Sequence, residues 1–395
     1  MTHELITTER DLAGVSEQVA AEAVVALDTE FVSEHTYRPQ LCLIQVAVPG
    51  RVVLVDPLGV DDLRPFWDAV ATPGHETVVH AGREEVAFCL NAAGRPPSRL
   101  FDTQVAAGLI GLEYPTGYAA LVGKLLGKKT HKGETRTDWR RRPLSSRQIA
   151  YAAGDVADLL PLHARIGERL AALGRVDWMA EEMARWKADF DASRSRERWR
   201  KVAGSSGLSR AELAVVRELW RWREAEALAR DKPARRILRD DLIVELARRR
   251  VSDPRQIGAI RGLERGDLRR VLPQLAQCVA TALALRDDDY PPSERRETSR
   301  QVSMLTQFLS TALNSHCREL HVAHNLVGTS ADVQDLIAGH LNLPRPGATE
   351  PPLLAGGWRR EVVGQLLDDL LDGKVAIRIH DPASEQPLAF ERTDD

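Results

Sequence analysis

Apolar positions in the first half of the chain fall into short continuous runs separated by polar turns. Val24-Val25-Ala26-Leu27 is the first run, and it ends in Asp28-Thr29-Glu30-Phe31. Its β-forming residues and short length predict a buried strand. Leu41 to Val48 is a second strand, Pro49-Gly50 a turn and Arg51 to Val55 a third strand, so the last two form a hairpin. Glu76 to His80 and Arg99 to Phe101 are the fourth and fifth. Helical spacing predicts helices over Asp61–Val70, Gly82–Ala92, Thr103–Ile110 and Tyr118–Leu126, and one long helix from Ser146 to about Leu173. Three opening strands followed by strands alternating with helices indicate an α/β domain with a mixed central sheet flanked by helices, ending near residue 173.

Beyond that point the pattern is almost wholly helical. Residues 174–207 form a Trp- and Arg-rich connector, closed by Gly204-Ser205-Ser206-Gly207. Residues 208–290 read as an independent all-α bundle, broken into helices at Asp231-Lys232-Pro233 and Ser252-Asp253-Pro254. Residues 291–395 form a mostly helical C-terminal region, with a loop at Pro344–Pro352 and an alternating, strand-like stretch over Lys374–Ile379.

Composition narrows the class. The 395 residues are 28% charged and 43% apolar, ordinary for a globular protein, and the net charge of −3 excludes a general polycation while allowing local basic surfaces. Met1-Thr2-His3-Glu4-Leu5 lacks the basic, then apolar, pattern of a secretory signal. No apolar run approaches the ~20 residues that span a bilayer. The expected location is cytoplasmic, without a membrane partner. The scattered Cys42, Cys89, Cys278 and Cys317 read as free thiols.

The chemistry gathers around Asp28 and Glu30. Residues i and i+2 of a strand share a face, so the two carboxylates project together. A divalent cation would relieve their repulsion, and hard oxygen donors suit magnesium or manganese. Alone, the pair reads as two hydrated acids at a strand end, and the metal reading needs other groups to converge on it. Three further segments have residues that could converge on it. Glu85 falls in a first helical turn, where the helix dipole also favours an acid. Asp102 precedes a helix and is expected as its N-cap rather than as a metal ligand. Tyr151 and Asp155 lie one turn apart on one helix face, where a phenol beside a carboxylate can hold a water.

This order of acids, with Tyr-x-x-x-Asp on a late helix, resembles the DEDD superfamily of 3′-to-5′ exonucleases in its tyrosine-containing branch. The segments Leu27–Phe31, Thr36–Leu41, Asp56–Gly59, His80–Gly82, Phe101–Gln104, Arg136–Trp139, Arg142–Ser145 and Tyr151–Val156 resemble ribonuclease D, in order, over roughly residues 1–170. Trp220–Arg223, Arg230–Pro233, Leu242–Arg248 and Ile257–Leu263 resemble an HRDC domain, a helical module also found in RecQ-type helicases. Gly357-Trp358-Arg359 resembles part of a second such module, shortened or diverged here.

The resemblance implies metal-dependent hydrolysis of the terminal phosphodiester of an RNA, releasing nucleoside 5′-monophosphates. Asp28, Glu30, Glu85 and Asp155 would hold two Mg2+ or Mn2+ ions, and Tyr151 would orient the attacking water. The implied partners are tRNA precursors or other small structured RNAs, with Lys128, Lys129, Lys132, Arg136 and Arg140 to Arg142 available to phosphates. Arg142 reads equally as a structural pin. One position departs from the pattern, because the family's acid at the second motif is aspartate and this chain carries Glu85. Two other readings therefore stay open: a DNA exonuclease of the same superfamily, and a nucleic-acid-binding protein whose metal site the longer acid has weakened.

Overall fold

A computed structural model describes residues 3–130, 137–264, 266–292, 299–345 and 350–393. Six strands form one sheet: β1 (His3–Ile6), β2 (Val24–Val32), β3 (Gln40–Val48), β4 (Arg51–Val55), β5 (Glu76–Val79) and β6 (Arg99–Asp102), in the order β1-β4-β3-β2-β5-β6. The sheet is mixed. The β3–β4 hairpin is antiparallel, whereas β1 pairs with β4, β2 with β5 and β5 with β6 in parallel. Parallel pairing brings the carboxyl ends of β2, β5 and β6 to one edge, where groups that bind substrates gather in α/β folds.

The sheet is covered on both faces. Val25 and Leu27 of β2 pack into a core with Leu12, Val15, Val19, Phe66, Trp67 and Cys89, contributed by α1 (Glu9–Ala21), α2 (Arg64–Ala71) and α3 (Arg83–Ala93). Ala26 faces the other way, into a core shared with α4 (Thr103–Leu109), α5 (Tyr118–Leu126), α6 (Ser146–Ala157), α7 (Leu159–Ala172) and α8 (Val176–Ser195). Strand alternation thus sends Asp28 and Glu30 toward the α6 side and Thr29 toward the α3 side.

The predicted strands 24–31, 41–48, 51–55, 76–80 and 99–101 all correspond to strands of the sheet. Two elements preceding them were not anticipated, β1 and α1. The long helix expected over 146–173 is two helices, broken at Asp158. Pro161 explains the break: inside a continuous helix it would remove a hydrogen bond and crowd the preceding turn, whereas in the first turn of α7 it is tolerated. The Tyr118 hydroxyl seals the joint, donating to the Gly154 carbonyl at 2.9 Å and accepting from the Asp158 N–H at 3.2 Å.

Two compact units are present. The first comprises Met1–Glu30, Leu41–Asp189 and Thr298–Asp395. The C-terminal segment therefore folds with the sheet. Its main helices, spanning Arg300–Glu319, Ser330–His340 and Gln365–Leu371, extend the core on the α6 face, and Val375–Ile379 pairs with an unanticipated partner strand, Leu388–Arg392. Arg175 clamps it by donating to the carbonyls of Leu109, Leu320 and His321. Trp358 of the quoted Gly-Trp-Arg segment stacks on Trp178 with ring centroids 5.2 Å apart, while Arg359 pairs with Glu182 at 2.6 Å.

The second unit comprises Phe31–Gln40 and Phe190–Glu297. It is all-α, built around helices Arg210–Ala229, Asp240–Arg249 and Leu272–Leu283 with their own apolar core. A Ser209/Glu212 capping box starts the first of these, and a buried Arg223–Asp240 pair at 2.6 Å joins it to the second. Tyr37 belongs here, donating from its hydroxyl to Glu224 at 3.2 Å and from its N–H to Asp231 at 3.1 Å. Cys42, Cys89 and Cys317 are buried free thiols and Cys278 is a half-buried one.

Candidate active site

Three elements bring the predicted acids together at the carboxyl edge of the sheet. Asp28 and Glu30 come from β2, Asp155 from α6 and Glu85 from the first turn of α3. Charges act between them. Burial first, then the charges of Asp28, Asp155 and Glu85, pushes Glu30 up to about 9. Burial and Asp155 raise Asp28, whose carboxylate the Thr29 N–H partly compensates. Glu85, only 6% exposed, is raised by burial and by Asp28. Asp155 is raised by burial to about 6, with the Tyr151 hydroxyl acting in the opposite direction.

Tyr151 stands beside this cluster. Burial and the neighbouring acids raise its pKa well above the ordinary phenol value, so it stays protonated and acts as a donor. Its ring lies 6.2 Å from that of the buried Trp139.

Asp102 is not in the cluster. Its buried carboxylate caps α4 through the Gln104 N–H at 2.9 Å, as expected, and also accepts from the N–H groups of Ala81 and Gly82 at 3.0 and 3.1 Å. It thereby fixes the sharp turn into α3, and so the root of Glu85. Ala81 there has φ 57°, and a side chain on Gly82 would collide with Val79, its Cβ only 2.3 Å from Cγ2. His80 is held beside this turn, Nδ1 2.9 Å from Thr103 Oγ1 and Nε2 3.1 Å from the Thr116 carbonyl, and burial lowers its pKa.

Sequence reasoning missed Tyr118, which sets the turn carrying Asp155, and Thr29, whose hydroxyl donates to Glu85 Oε1 at 2.6 Å. Thr29 lies between the two motif acids and Tyr118 opens a predicted helix, but the partners of both are set by tertiary packing. The expected basic surface is only partly available. Lys128 pairs with Asp158, Arg140 with Asp138, and Arg142 with Asp56. Lys129 is exposed, and the side chain of Arg141 is 85% exposed. Lys132 and Arg136 lie outside the described residues.

The donor set suits a hard divalent cation: four carboxylates, no sulfur or imidazole, each destabilised as an anion by burial or by the others. Among the described residues no three His, Cys, Asp or Glu side chains are grouped as a ready-made cage. The fit therefore rests on donor chemistry and shared repulsion.

These shifts carry a stability prediction. All four folded-state pKa values lie above the ordinary 3.8 of Asp or 4.5 of Glu, so the folded protein binds more protons than the unfolded chain above about pH 4. The stabilisation is full below the unfolded values and is lost as pH rises through the folded values, up to about 9 for Glu30. Calorimetry on metal-free protein should show Tm falling between pH 5 and pH 9, with a shallower fall for Asp28→Asn. Excess Mg2+ should raise Tm more at pH 9 than at pH 6, since protons compete with the cation. Identical pH profiles for the two proteins would contradict the clustering.

Comparison with known proteins agrees with this geometry. Residues 3–171 match the family model described as 3′-5′ exonuclease, and residues 212–279 match that of the HRDC domain. The chain is 37% identical to ribonuclease D of Gluconacetobacter diazotrophicus, over 95% of this chain and 94% of that one. It is 35% identical to ribonuclease D of Acidiphilium cryptum, over 94% of each. The crystal structure of Escherichia coli RNase D, an exoribonuclease involved in structured RNA processing, superposes with a TM-score of 0.81 at 29% identity, covering 94% of this chain and 99% of that one. An exonuclease fold with acids at its carboxyl edge, an HRDC domain and full-length relatives of one kind lead to one assignment: the chain belongs to the ribonuclease D family of 3′-to-5′ exoribonucleases.

Proposed function

We propose that Asp28, Glu30, Glu85 and Asp155 hold two divalent cations, Mg2+ or Mn2+, and that Tyr151 directs the attacking water in stepwise removal of nucleoside 5′-monophosphates from the 3′ end of RNA. The observation that supports this reading is four carboxyls from three separate elements, all raised by burial, with Glu30 raised further by Asp28, Asp155 and Glu85, Asp28 by Asp155, and Glu85 by Asp28. Such an arrangement is costly unless positive charge joins it. Cations held by Asp28, Glu30, Glu85 and Asp155 would supply that charge, an activated water and compensation for the charge developing on the phosphate and the leaving 3′-oxygen.

The chain's own residues supply the rest. Tyr151 keeps its proton and offers a donor beside Asp155, which suits holding a water and not forming a covalent bond to phosphate. Tyr118 ties the turn that carries Asp155 to α5. Asp102 holds the turn from which Glu85 projects. Lys129 and Arg141 are exposed cations that suit the phosphate backbone. Functionally, we divide the chain into the exonuclease domain (1–173), connector (174–207), HRDC domain (208–290) and C-terminal region (291–395), with the HRDC domain a second grip on structured RNA. tRNA precursors in the cytoplasm are the proposed substrates.

The test uses a 5′-labelled tRNA precursor with a 3′ trailer, incubated with Mg2+, Mn2+ or EDTA, beside single-stranded DNA of matched length. A ladder shortening from the 3′ end with either metal and absent in EDTA is expected, with RNA preferred. Shortening that persists in EDTA would refute the metal assignment. RNA that is bound but never shortened would leave a binding protein in its place.

A further inference from the structure

Glu85 reaches the site from the side of the sheet opposite to Asp155. Asp28 and Glu30 face α6, whereas Glu85 rises from α3 on the other face and is only 6% exposed. Thr29 lies between the two strand acids and points to the α3 side, also 6% exposed. Its Oγ1 donates to Glu85 Oε1 at 2.6 Å across the flank of the strand. We infer that Thr29 is a positioning residue for the metal site: its hydroxyl anchors one oxygen of Glu85 and so fixes how the longer acid presents its carboxylate to the Asp28 side.

Three physical points carry this. A glutamate has one more side-chain torsion than an aspartate, and an unanchored carboxylate must lose that freedom on binding a cation. With Glu85 only 6% exposed, water cannot readily replace the Thr29 donor, so losing the bond leaves a buried oxygen unpaired. The donor is also suited to its task. Threonine is stiff at χ1, so the hydroxyl is preset, and being neutral it does not compete with a cation as a lysine would.

The inference rests on the reading of Glu85 as a metal ligand, and the experiment separates the two. Mn2+ is titrated into the RNA-free, full-length protein by calorimetry, with thermal melts as a check on folding. Thr29→Val removes the hydroxyl at constant shape and should weaken Mn2+ binding about tenfold, as expected for losing a hydrogen bond to a charged group. Thr29→Ser keeps the donor and should bind within about twofold of the parent. Glu85→Asp draws the carboxylate back by ~1.5 Å, to about 4 Å from the hydroxyl, so Thr29→Val should add nothing in that background.

Should Thr29→Val fail to fold, Thr29→Ala serves in the same cycle. Unchanged Mn2+ binding by Thr29→Val, an equal loss in Thr29→Ser, or an undiminished loss in the Glu85→Asp background would each overturn the inference. If the parent protein itself binds no Mn2+, the metal reading fails, and that arm alone reports it.

Discussion

Replacing Asp155 with Asn is expected to lower the rate of RNA shortening about a thousandfold, equivalent to about 4 kcal/mol of transition-state stabilisation. Asparagine keeps the size of the side chain and an acceptor for Tyr151, so the α6 turn sealed by Tyr118 should persist. What disappears is one negative charge, the one that raises both Asp28 and Glu30. The same substitution should therefore stabilise the metal-free protein above pH 7, because Asp28 and Glu30 lose a repelling neighbour. RNA affinity, measured by filter binding in EDTA, should change little, since the proposed phosphate contacts, Lys129 and Arg141, are not among the acids. Single-turnover rates on labelled RNA, melting curves and filter binding together test this. A variant that keeps its rate would remove Asp155 from the site. One that loses rate, affinity and stability together would make Asp155 a structural residue.

The chain stated some of this openly and concealed the rest for identifiable reasons. β2, β3 and β4 carry continuous apolar runs, which makes them legible together with the acids inside the first of them. β1 was not, because three of its four residues are exposed and give no apolar run. The helix after it was readable in principle: Thr8 caps it and Leu12, Val15 and Val19 keep helical spacing. Pro161 was the overlooked signal for the break at Asp158. In the site, Asp28, Glu30, Tyr151 and Asp155 share local elements whose periodicity aims them. Glu85 is different, because its approach from the far face depends on how α3 packs against β2, and Thr29 acquires its role only there. Asp102 was read as a cap, and the structure adds two more N–H groups from the turn into α3.

Cations were the least legible residues, and Arg142 shows why. Replacing it with Ala is expected to destabilise the nuclease unit by about 3 kcal/mol, lowering Tm by roughly 9 °C. Its guanidinium donates to Asp56 at 2.5 and 2.6 Å, to the carbonyls of Cys42 and Trp139 at 2.7 Å, and to that of Arg141 at 3.0 Å. Every N–H of the side chain is thus engaged within the protein. Removing it strands the buried Asp56 carboxylate and frees the segment bearing Trp139, against which Tyr151 packs. Arg141, one residue earlier, lies with its side chain 85% exposed and only 3.9 Å at closest from Asp138. Its replacement with Ala should leave Tm within about 1 °C, because an exposed ion pair contributes little. It should instead weaken RNA binding and reduce the slope of log K against log salt by about one. Melting curves and salt-dependent filter binding on the two variants distinguish the roles. If Arg142→Ala keeps its Tm while the salt slope falls, the pin is a phosphate contact after all, and the neighbouring pair of arginines must be read in the opposite order.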